Sequence, residues 1–201
     1  MSRRPYRSAK RAHDLDFIGD HLAIDFVNTV RMVAGAVTDT LQADEDVKVW
    51  LGLAGVPVAV KPAPWRRGAL LDAARRLRAA TLKSIEARKE GKRPSLAEIN
   101  AFLVLSTSHG ALVPGDSSPE FRRIYHGSTP EGYLGPLAEA VADLLANGDF
   151  ELIRRCESGS CVLWFYDRTR HHCRKYCTSA GCGNRAKVAA FRARLREQSE
   201  D

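Results

Sequence analysis

Apolar residues recur at helical spacing over much of the first 150 residues of this 201-residue chain. The longest such run predicts a helix between Pro64 and Gly91, in which the apolar positions fall on one side. Those positions are Leu70, Leu71, Ala74, Leu77, Thr81 and Ile85. Shorter helices are predicted over residues 40–51, 96–105 and 134–146, each bounded by a capping residue or by Gly or Pro. The pattern therefore indicates a mainly helical body.

A further helix is predicted over residues 17–30, where polar side chains interrupt the apolar pattern. His21, Asp25 and Asn28 are spaced by four and three residues, so they share one face of that helix. Three explanations stay open for this face: a small-molecule pocket or acid–base site, a buried hydrogen-bonding group, or an ordinary polar surface. The first is the functional hypothesis for these three residues.

Strand patterns are fewer and short. The Ser-, Gly- and Pro-rich residues 106–129 contain two β-favouring segments, Ala111–Val113 and Phe121–Tyr125, which suggest a short hairpin. Near the C-terminus, Phe150–Arg155 and the aromatic Val162–Asp167 predict two further strands. The second of these follows the first of two cysteine pairs, as one arm of a hairpin would.

Four of the five cysteines form two pairs of equal spacing. Cys156 and Cys161 are separated by four residues, as are Cys177 and Cys182, and fifteen residues lie between the pairs. Thiolate pairs joined by a hairpin are typical of a tetrahedral zinc site, so we predict one structural Zn²⁺ held by all four. Because four thiolates leave no open position for water or substrate, the pattern argues against a zinc enzyme. The sequence also contains no P-loop, dinucleotide fingerprint or nucleophile elbow.

The fifth cysteine, Cys173, lies outside these pairs. It forms a CxxxC pair with Cys177 and follows two histidines, so an alternative ligand set stays open. The favoured interpretation is a free thiol, since the neighbouring Arg174 and Lys175 would stabilise its thiolate. A redox-sensing role is a hypothesis that follows from this environment.

The net charge of +7 is concentrated at the two ends of the chain. Residues 1–12 carry five Lys and Arg and no acid, and residues 151–201 carry eleven against six. Residues 13–150 carry fifteen against eighteen. We therefore predict a basic arm, a helical domain and a C-terminal finger over these ranges. Basic ends on a near-neutral body favour polyanion binding, and improved solubility is the alternative explanation.

A last helix is predicted over residues 185–196, directly after the second cysteine pair. Gly183 permits a tight turn and Asn184 is a favoured helix cap. The helix has an apolar stripe of Val188, Phe191 and Leu195, and its basic side chains lie on other faces: Arg185, Arg192 and Arg196, with Lys187 and Arg194 beside them. A basic helix positioned by zinc is suited to reading nucleic acid, although a solvated basic face is the commoner explanation.

The residues from Arg155 to Lys187 resemble the CGNR zinc finger. The matching residues are Arg155-Cys156, Cys161, Phe165-Tyr-Asp-Arg-Thr169, Arg174-Lys-Tyr-Cys-Thr178 and Cys182-Gly-Asn-Arg-Ala-Lys187. Upstream, Leu22-Ala-Ile-Asp-Phe-Val-Asn-Thr-Val30 resembles the opening of the ABATE domain that usually precedes this finger. Three positions depart mildly from the finger pattern: Tyr176 replaces Trp, and Thr169 and Thr178 replace Ser.

The resemblance implies a mainly α fold, with a helical N-terminal domain followed by a small zinc-bound β-hairpin and a C-terminal helix. It also implies a bacterial, stress-induced transcription regulator whose four paired cysteines bind zinc and whose finger binds DNA. The family's basic signature residues and the last helix give the expected DNA contacts: Arg174, Lys175, Arg185, Lys187, Arg192 and Arg196. A regulator needs an input, so we expect a small-molecule effector in the helical body.

Two function classes remain open from the sequence. One is the DNA-binding regulator, and the other is a structural zinc module that binds a protein or RNA. No apolar stretch is long enough to cross a bilayer, and none follows the basic N-terminus as a signal peptide requires. We therefore expect a cytoplasmic protein without a membrane partner. A homodimer is compatible with a regulator, although no residue pattern demands it.

Overall fold

The computed structural model describes residues 17–59 and 64–200. The described residues form two compact units, one containing residues 17–40 and 151–200 and the other residues 41–59 and 64–150. The basic arm predicted over residues 1–12 lies outside the described residues. None of the described helices has the length and apolar character needed to span a membrane.

Among the described residues the architecture is mainly α, as predicted, and it contains three short antiparallel hairpins. The helices are α1 (Leu22–Val27), α2 (Asp44–Leu53), α3 (Ala69–Lys89), α4 (Ala97–Leu105), α5 (Pro130–Tyr133), α6 (Gly135–Asn147) and α7 (Asn184–Glu200). The strands are β1 (Val30–Val33), β2 (Ala36–Asp39), β3 (Thr107–Val113), β4 (Glu120–His126), β5 (Ile153–Arg155) and β6 (Trp164–Tyr166). A single π-helical turn, Ser179–Gly183, precedes α7.

The core of the second unit lies between α3, α4 and α6. All six positions of the stripe predicted for the long helix are buried, which confirms that part of the prediction. Phe102 of α4 and Leu137 and Val141 of α6 are fully buried beside them. Burial of each large apolar side chain is worth about 1.5–3 kcal/mol, so these contacts contribute substantially to the stability of this unit.

The long helix begins at Ala69, five residues later than predicted. Gly68 precedes it with a φ of +84°, a left-handed conformation that ends the helical path on the N-terminal side. The Asp44 carboxylate caps the helix from a distance in sequence, accepting hydrogen bonds from the backbone N–H of Gly68 at 2.7 Å and of Leu71 at 2.8 Å. A cap supplied from 24 residues away leaves no local sequence signal.

The hairpin predicted between residues 106 and 129 is present and longer than expected. β3 and β4 form seven residue pairs in one antiparallel register, from Thr107 opposite His126 to Val113 opposite Glu120. Leu112 and Phe121 face each other across the strands and are both largely exposed.

The helix predicted over residues 17–30 is wrong outside α1. After α1 the Thr29 hydroxyl donates to the carbonyl of Phe26 at 2.7 Å, and the chain continues into β1. Ala34 and Gly35 form the turn to β2 with φ values of +48° and +86°. Two consecutive left-handed residues match a hairpin turn, but Ala is unusual at such a position, so Ala34-Gly35 is a weak signal for this turn.

Candidate metal centre

The structure brings together the thiols of Cys156, Cys161, Cys177 and Cys182, in the first unit. Their four Sγ atoms all lie within 4.8 Å of one another. Two of the sulfur–sulfur distances are 3.8 Å, between Cys161 and Cys177, and 3.5 Å, between Cys177 and Cys182. Three of the four residues are buried and Cys161 is half-buried.

Backbone hydrogen bonds shape each cysteine pair into a turn. In the first, the N–H of Cys161 donates to the carbonyl of Ser158 at 2.9 Å. In the second, the Thr178 hydroxyl accepts from the N–H of Gly181 at 3.0 Å, and the N–H of Gly183 donates to the Thr178 carbonyl at 2.9 Å. Thr178 therefore performs the capping role that a serine would perform at this position.

The hairpin and its apolar side chains join the two turns. The N–H of Cys156 donates to the carbonyl of Leu163 at 2.9 Å, which continues the pairing of β5 with β6 up to the first thiol. Phe165 of β6 is fully buried against three of the cysteines, and Leu163 and Tyr176 pack beside it. The β-hairpin therefore positions the first pair directly, and the aromatic cluster supports the second.

The donor set fits zinc. Four sulfurs at the usual Zn–S distance of about 2.3 Å would lie about 3.8 Å apart in a tetrahedron, close to the separations of these thiols. Thiolates are ligands that Zn²⁺ prefers, and a fourfold set is typical of structural sites. The group can therefore hold one zinc ion with small movements of the side chains.

The electrostatics of the group also favour a bound cation. Burial raises the pKa of Cys161 to about 11, and burial likewise raises the pKa of Cys177. Burial acts in the same direction on Cys182, but a hydrogen bond from the Arg185 guanidinium, 3.0 Å from its sulfur, helps to lower its pKa to about 7. Several thiolates cannot form so close together without a compensating charge, and a divalent metal supplies that charge.

Cys173 does not belong to this group. Its side chain is exposed, and the four clustered thiols form the metal-binding group without it. The adjacent His172 has a φ of +48°, and its ring lies 3.1 Å from the carbonyl of Asp167. The redox role suggested for Cys173 stays a prediction.

Arg174 is held inside the first unit. Its guanidinium forms an ion pair with Asp20 at 2.5 Å and stacks on the Phe165 ring, 4.3 Å from the centroid. It also donates to three backbone carbonyls, those of Ile18, Tyr176 and Cys177. The side chain is only 19% exposed. Arg174 therefore ties the second cysteine turn to the segment before α1, a role that its place in a basic run did not reveal.

Asp167 is a buried carboxylate that binds the backbone of Arg174 and of the neighbouring Thr169. Its carboxylate accepts hydrogen bonds from the N–H and hydroxyl of Thr169, at 3.0 and 2.6 Å, and from the N–H of Arg174, at 2.9 Å. Arg154 lies 3.6 Å away. Burial alone would raise the pKa of Asp167, but these contacts lower it below its ordinary value. The ionised carboxylate therefore stabilises the folded state above about pH 4, and this contribution is lost as the pH falls through the lowered pKa.

Asp167→Asn is expected to destabilise the first unit by about 3 kcal/mol at pH 7. The NH₂ group of the new asparagine would face the N–H and hydroxyl donors of Thr169 and Arg174, some of which would then lose their acceptor. Hydrogen exchange of residues 164–176 should become faster by the corresponding factor. Asp116→Asn, on the exposed loop after β3, is the matched control and should stay within about 0.5 kcal/mol of the parent protein. Equal exchange rates in the two variants would show that the Asp167 charge is not needed.

His21, Asp25 and Asn28 each make structural contacts in the first unit. The His21 ring accepts from the N–H of Ala23 at 3.1 Å and so caps α1. The Asp25 carboxylate accepts from the N–H of Gly19 at 2.7 Å, and a Cβ at Gly19 would lie 3.0 Å or less from Asp25 and Ile24. These contacts correspond to the buried hydrogen-bonding explanation, and an effector site at this face stays a prediction.

The Asn28 side chain binds β6. Its amide N–H₂ donates to the carbonyl of Trp164 at 2.8 Å, and its oxygen accepts from the N–H of Trp164 at 2.9 Å. In the segment before α1, the carbonyl of Gly19 also accepts a hydrogen bond from the N–H of Tyr166 at 2.8 Å. Residues 17–40 therefore complete the edge of the zinc hairpin through hydrogen bonds that a single sequence could not indicate.

Helix α7 starts two residues after the last clustered cysteine. The described side chains from Lys187 to Gln198 are all exposed. The predicted apolar stripe is also exposed: Val188, Phe191 and Leu195 have 41%, 55% and 49% of their surface accessible. Beyond its first turn, α7 therefore presents both its basic and its apolar faces to the outside of the first unit.

Comparison with known families agrees with this architecture. Residues 20–148 match the ABATE model, described as "Putative stress-induced transcription regulator", and residues 153–195 match the CGNR zinc finger. Both families are regulator and zinc-finger types and not enzyme families. No curated protein matches the chain. The first match alone covers more than half of the 201 residues, and the chain therefore belongs to the ABATE family, with a CGNR zinc finger at its C-terminal end.

Proposed function

We propose that this protein is a zinc-dependent, DNA-binding transcription regulator whose finger and α7 contact DNA. In this proposal Cys156, Cys161, Cys177 and Cys182 hold one structural zinc ion. Thiols used in this way require a reducing environment, which supports a cytoplasmic location. A site closed by four thiolates binds no substrate, so the zinc serves to position the protein segments around it.

The observation that carries the proposal is the exposed basic surface of α7 at the zinc centre. Arg185 at its start donates to the Cys182 sulfur, so the first turn of the helix is connected to a proposed metal ligand. Lys187, Arg192 and Arg196 follow on the exposed part of the helix. Seventeen residues give a helix of about 26 Å, long enough to lie along the major groove or across its phosphates.

Not every basic residue of the finger is placed equally well for DNA. Arg174 is mostly buried and committed to internal hydrogen bonds, so we assign it to holding the finger together. Lys175 is 64% exposed and has only a long ion pair of 3.8 Å with Glu157. The proposed phosphate contacts are therefore Lys175, Lys187, Arg192 and Arg196, with Arg185 at the junction with the zinc centre.

Salt titration of DNA binding tests this set. Each phosphate contact contributes about 0.9 to the slope of log affinity against log salt, so Lys187→Ala and Arg192→Ala should each make that slope shallower by about 1. Lys83→Ala, on α3 in the second unit, is the control and should leave the slope unchanged. Equal slopes for all three variants would remove α7 from the proposed interface.

Sequence selection distinguishes a specific regulator from a non-specific binder. A pool of random duplex DNA, enriched on the zinc-loaded protein, should converge on a preferred site if the finger reads bases. An unenriched pool combined with a steep salt slope would leave only non-specific binding. Adding competitor RNA to the same measurement identifies the nucleic acid that is preferred.

The exposed apolar stripe of α7 supports a second candidate function, a zinc module that binds another protein. Phe191 is 55% exposed on a helix that protein partners could cover. Phe191→Ser should leave the DNA salt slope intact if α7 contacts only phosphates. A wild-type protein without measurable DNA or RNA affinity would favour this alternative.

A further inference from the structure

A cavity of about 550 Å³ in the first unit opens onto the cysteine group, and Cys161, Cys177 and Cys182 are among its lining residues. One wall is the β1–β2 turn, from Arg31 to Gly35, and the other is formed by the two cysteine turns and Arg185. Volumes of this size are typical of sites for small molecules. The described residues that line the cavity include two arginines and no carboxylate.

The Arg31 guanidinium contains a donor without a partner in the described part of the protein. Its Nε is buried and has no hydrogen-bond acceptor there. A buried N–H without an acceptor costs about 1–3 kcal/mol, so native proteins rarely keep one without a reason. Because this Nε is closed to solvent, an anionic ligand in the cavity would supply its acceptor only after the Arg31 side chain turns towards the cavity that it lines. A planar guanidinium is then well suited to bind two oxygens of the ligand.

Arg185 is the second cation of this cavity. Its guanidinium donates to the Cys182 sulfur through Nη2, which fixes the group at the cavity wall. The remaining lining is partly apolar and includes Ile18, Met32 and Leu163. Two guanidinium groups combined with apolar walls favour a ligand that has both an anionic head able to accept several hydrogen bonds and an apolar or aromatic part.

From these observations we propose that the cavity between the β1–β2 turn and the cysteine turns binds a phosphate-bearing small molecule, with Arg31 and Arg185 holding the phosphate. The site shares only Arg185 with α7 and does not depend on DNA binding. If the proposed function is also correct, occupancy would act on DNA affinity through Arg185 at the start of α7. That consequence alone rests on the proposed function.

A structural explanation competes with this proposal. Zinc bound by four thiolates carries a net charge of −2, and two nearby arginines could serve only to balance it. Arg185 contacts a cysteine sulfur, but Arg31 forms no such hydrogen bond. The two explanations predict different effects of removing the Arg31 charge, on ligand binding in one case and on zinc retention in the other.

Calorimetric binding measurements on the full-length, zinc-loaded protein distinguish the ligand site from the charge-balance explanation. The probes are AMP, inorganic phosphate and adenosine, and the variants are Arg31→Gln and, as control, the exposed Arg170→Gln. We expect AMP to bind at least tenfold more tightly than adenosine, and Arg31→Gln to weaken AMP at least tenfold. Arg170→Gln should change AMP affinity less than twofold, and all variants should keep one zinc per chain.

Three results would overturn the proposal. The first is the absence of phosphate-dependent binding to the parent protein. The second is an Arg31→Gln protein that binds AMP normally, and the third is one that loses zinc in proportion to its loss of AMP binding.

If AMP and phosphate do not bind but Arg31→Gln weakens the binding of duplex DNA, the cavity takes a backbone phosphate, and the small-molecule site is refuted. AMP binding without any DNA affinity would refute the proposed function and leave the cavity proposal intact.

Discussion

Replacing Cys177 with serine is expected to remove zinc from the protein and to unfold residues 151–183. Cys177 is buried at the centre of the thiol group, with its Sγ 3.8 Å from Cys161 and 3.5 Å from Cys182. A structural zinc site contributes about 10–16 kcal/mol of apparent binding free energy, which is comparable with the total stability of a domain. A serine hydroxyl stays protonated near neutral pH and cannot replace the thiolate.

Metal analysis and hydrogen exchange measure this effect. The variant should retain less than one tenth of the parent zinc content, and amides of β5, β6 and the π-helical turn should lose protection. Cys173→Ser is the matched control, since Cys173 is exposed and outside the thiol group. It should keep one zinc per chain and parent exchange rates. Full zinc content in Cys177→Ser, or zinc loss in Cys173→Ser, would show that the ligand set differs from the one proposed.

The zinc group could be predicted from the sequence because its information is local. Each cysteine pair spans six residues, and only fifteen residues lie between the pairs, so spacing alone restricts the geometry. The hairpin forms around the first pair, between β5 and β6, and not within those fifteen residues as the spacing predicts. The same holds for the long helix α3, whose apolar period persists over many turns. Signals of this kind survive in a single sequence because neighbouring residues in the chain are also neighbours in space.

Contacts between distant segments could not be predicted in this way. Arg174 and Asp20 are separated by 154 positions, and Asn28 and Trp164 by 136. The basic run around Arg174 suggested a nucleic-acid surface, whereas its donors are used inside the unit. Asn28 was placed on a helix face by its spacing, although α1 ends at Val27 and the side chain binds a strand.

The packing of residues 17–40 also bears on where the chain divides. These residues contact the zinc hairpin, although the ABATE match begins at residue 20 and ends at 148. The boundary predicted at residue 150 therefore remains a prediction about independent folding. The opening segment of the family domain and the finger form one compact unit, so removing either is expected to disturb the other.

Asn28→Asp tests this dependence with a nearly isosteric change. The variant keeps the oxygen that accepts from the N–H of Trp164, but it replaces the donor that reaches the Trp164 carbonyl at 2.8 Å. Asn28 is 6% exposed, so the new carboxylate would be buried against a carbonyl oxygen without a cation. We expect a loss of about 3–5 kcal/mol, the usual effect of an uncompensated buried charge.

The consequence should extend from β6 to the metal, because Trp164 lies three residues after Cys161 on the same hairpin. Hydrogen exchange in β6 should accelerate, and a chelator should remove zinc faster from Asn28→Asp than from the parent protein. Asn100→Asp, on the exposed surface of α4, adds the same charge in the second unit and should change neither rate. Faster exchange in β6 without faster zinc loss would mean that the cysteine turns hold the metal independently of residues 17–40. Faster exchange in β6 together with faster zinc loss would show that the family's N-terminal segment is a structural part of the zinc finger.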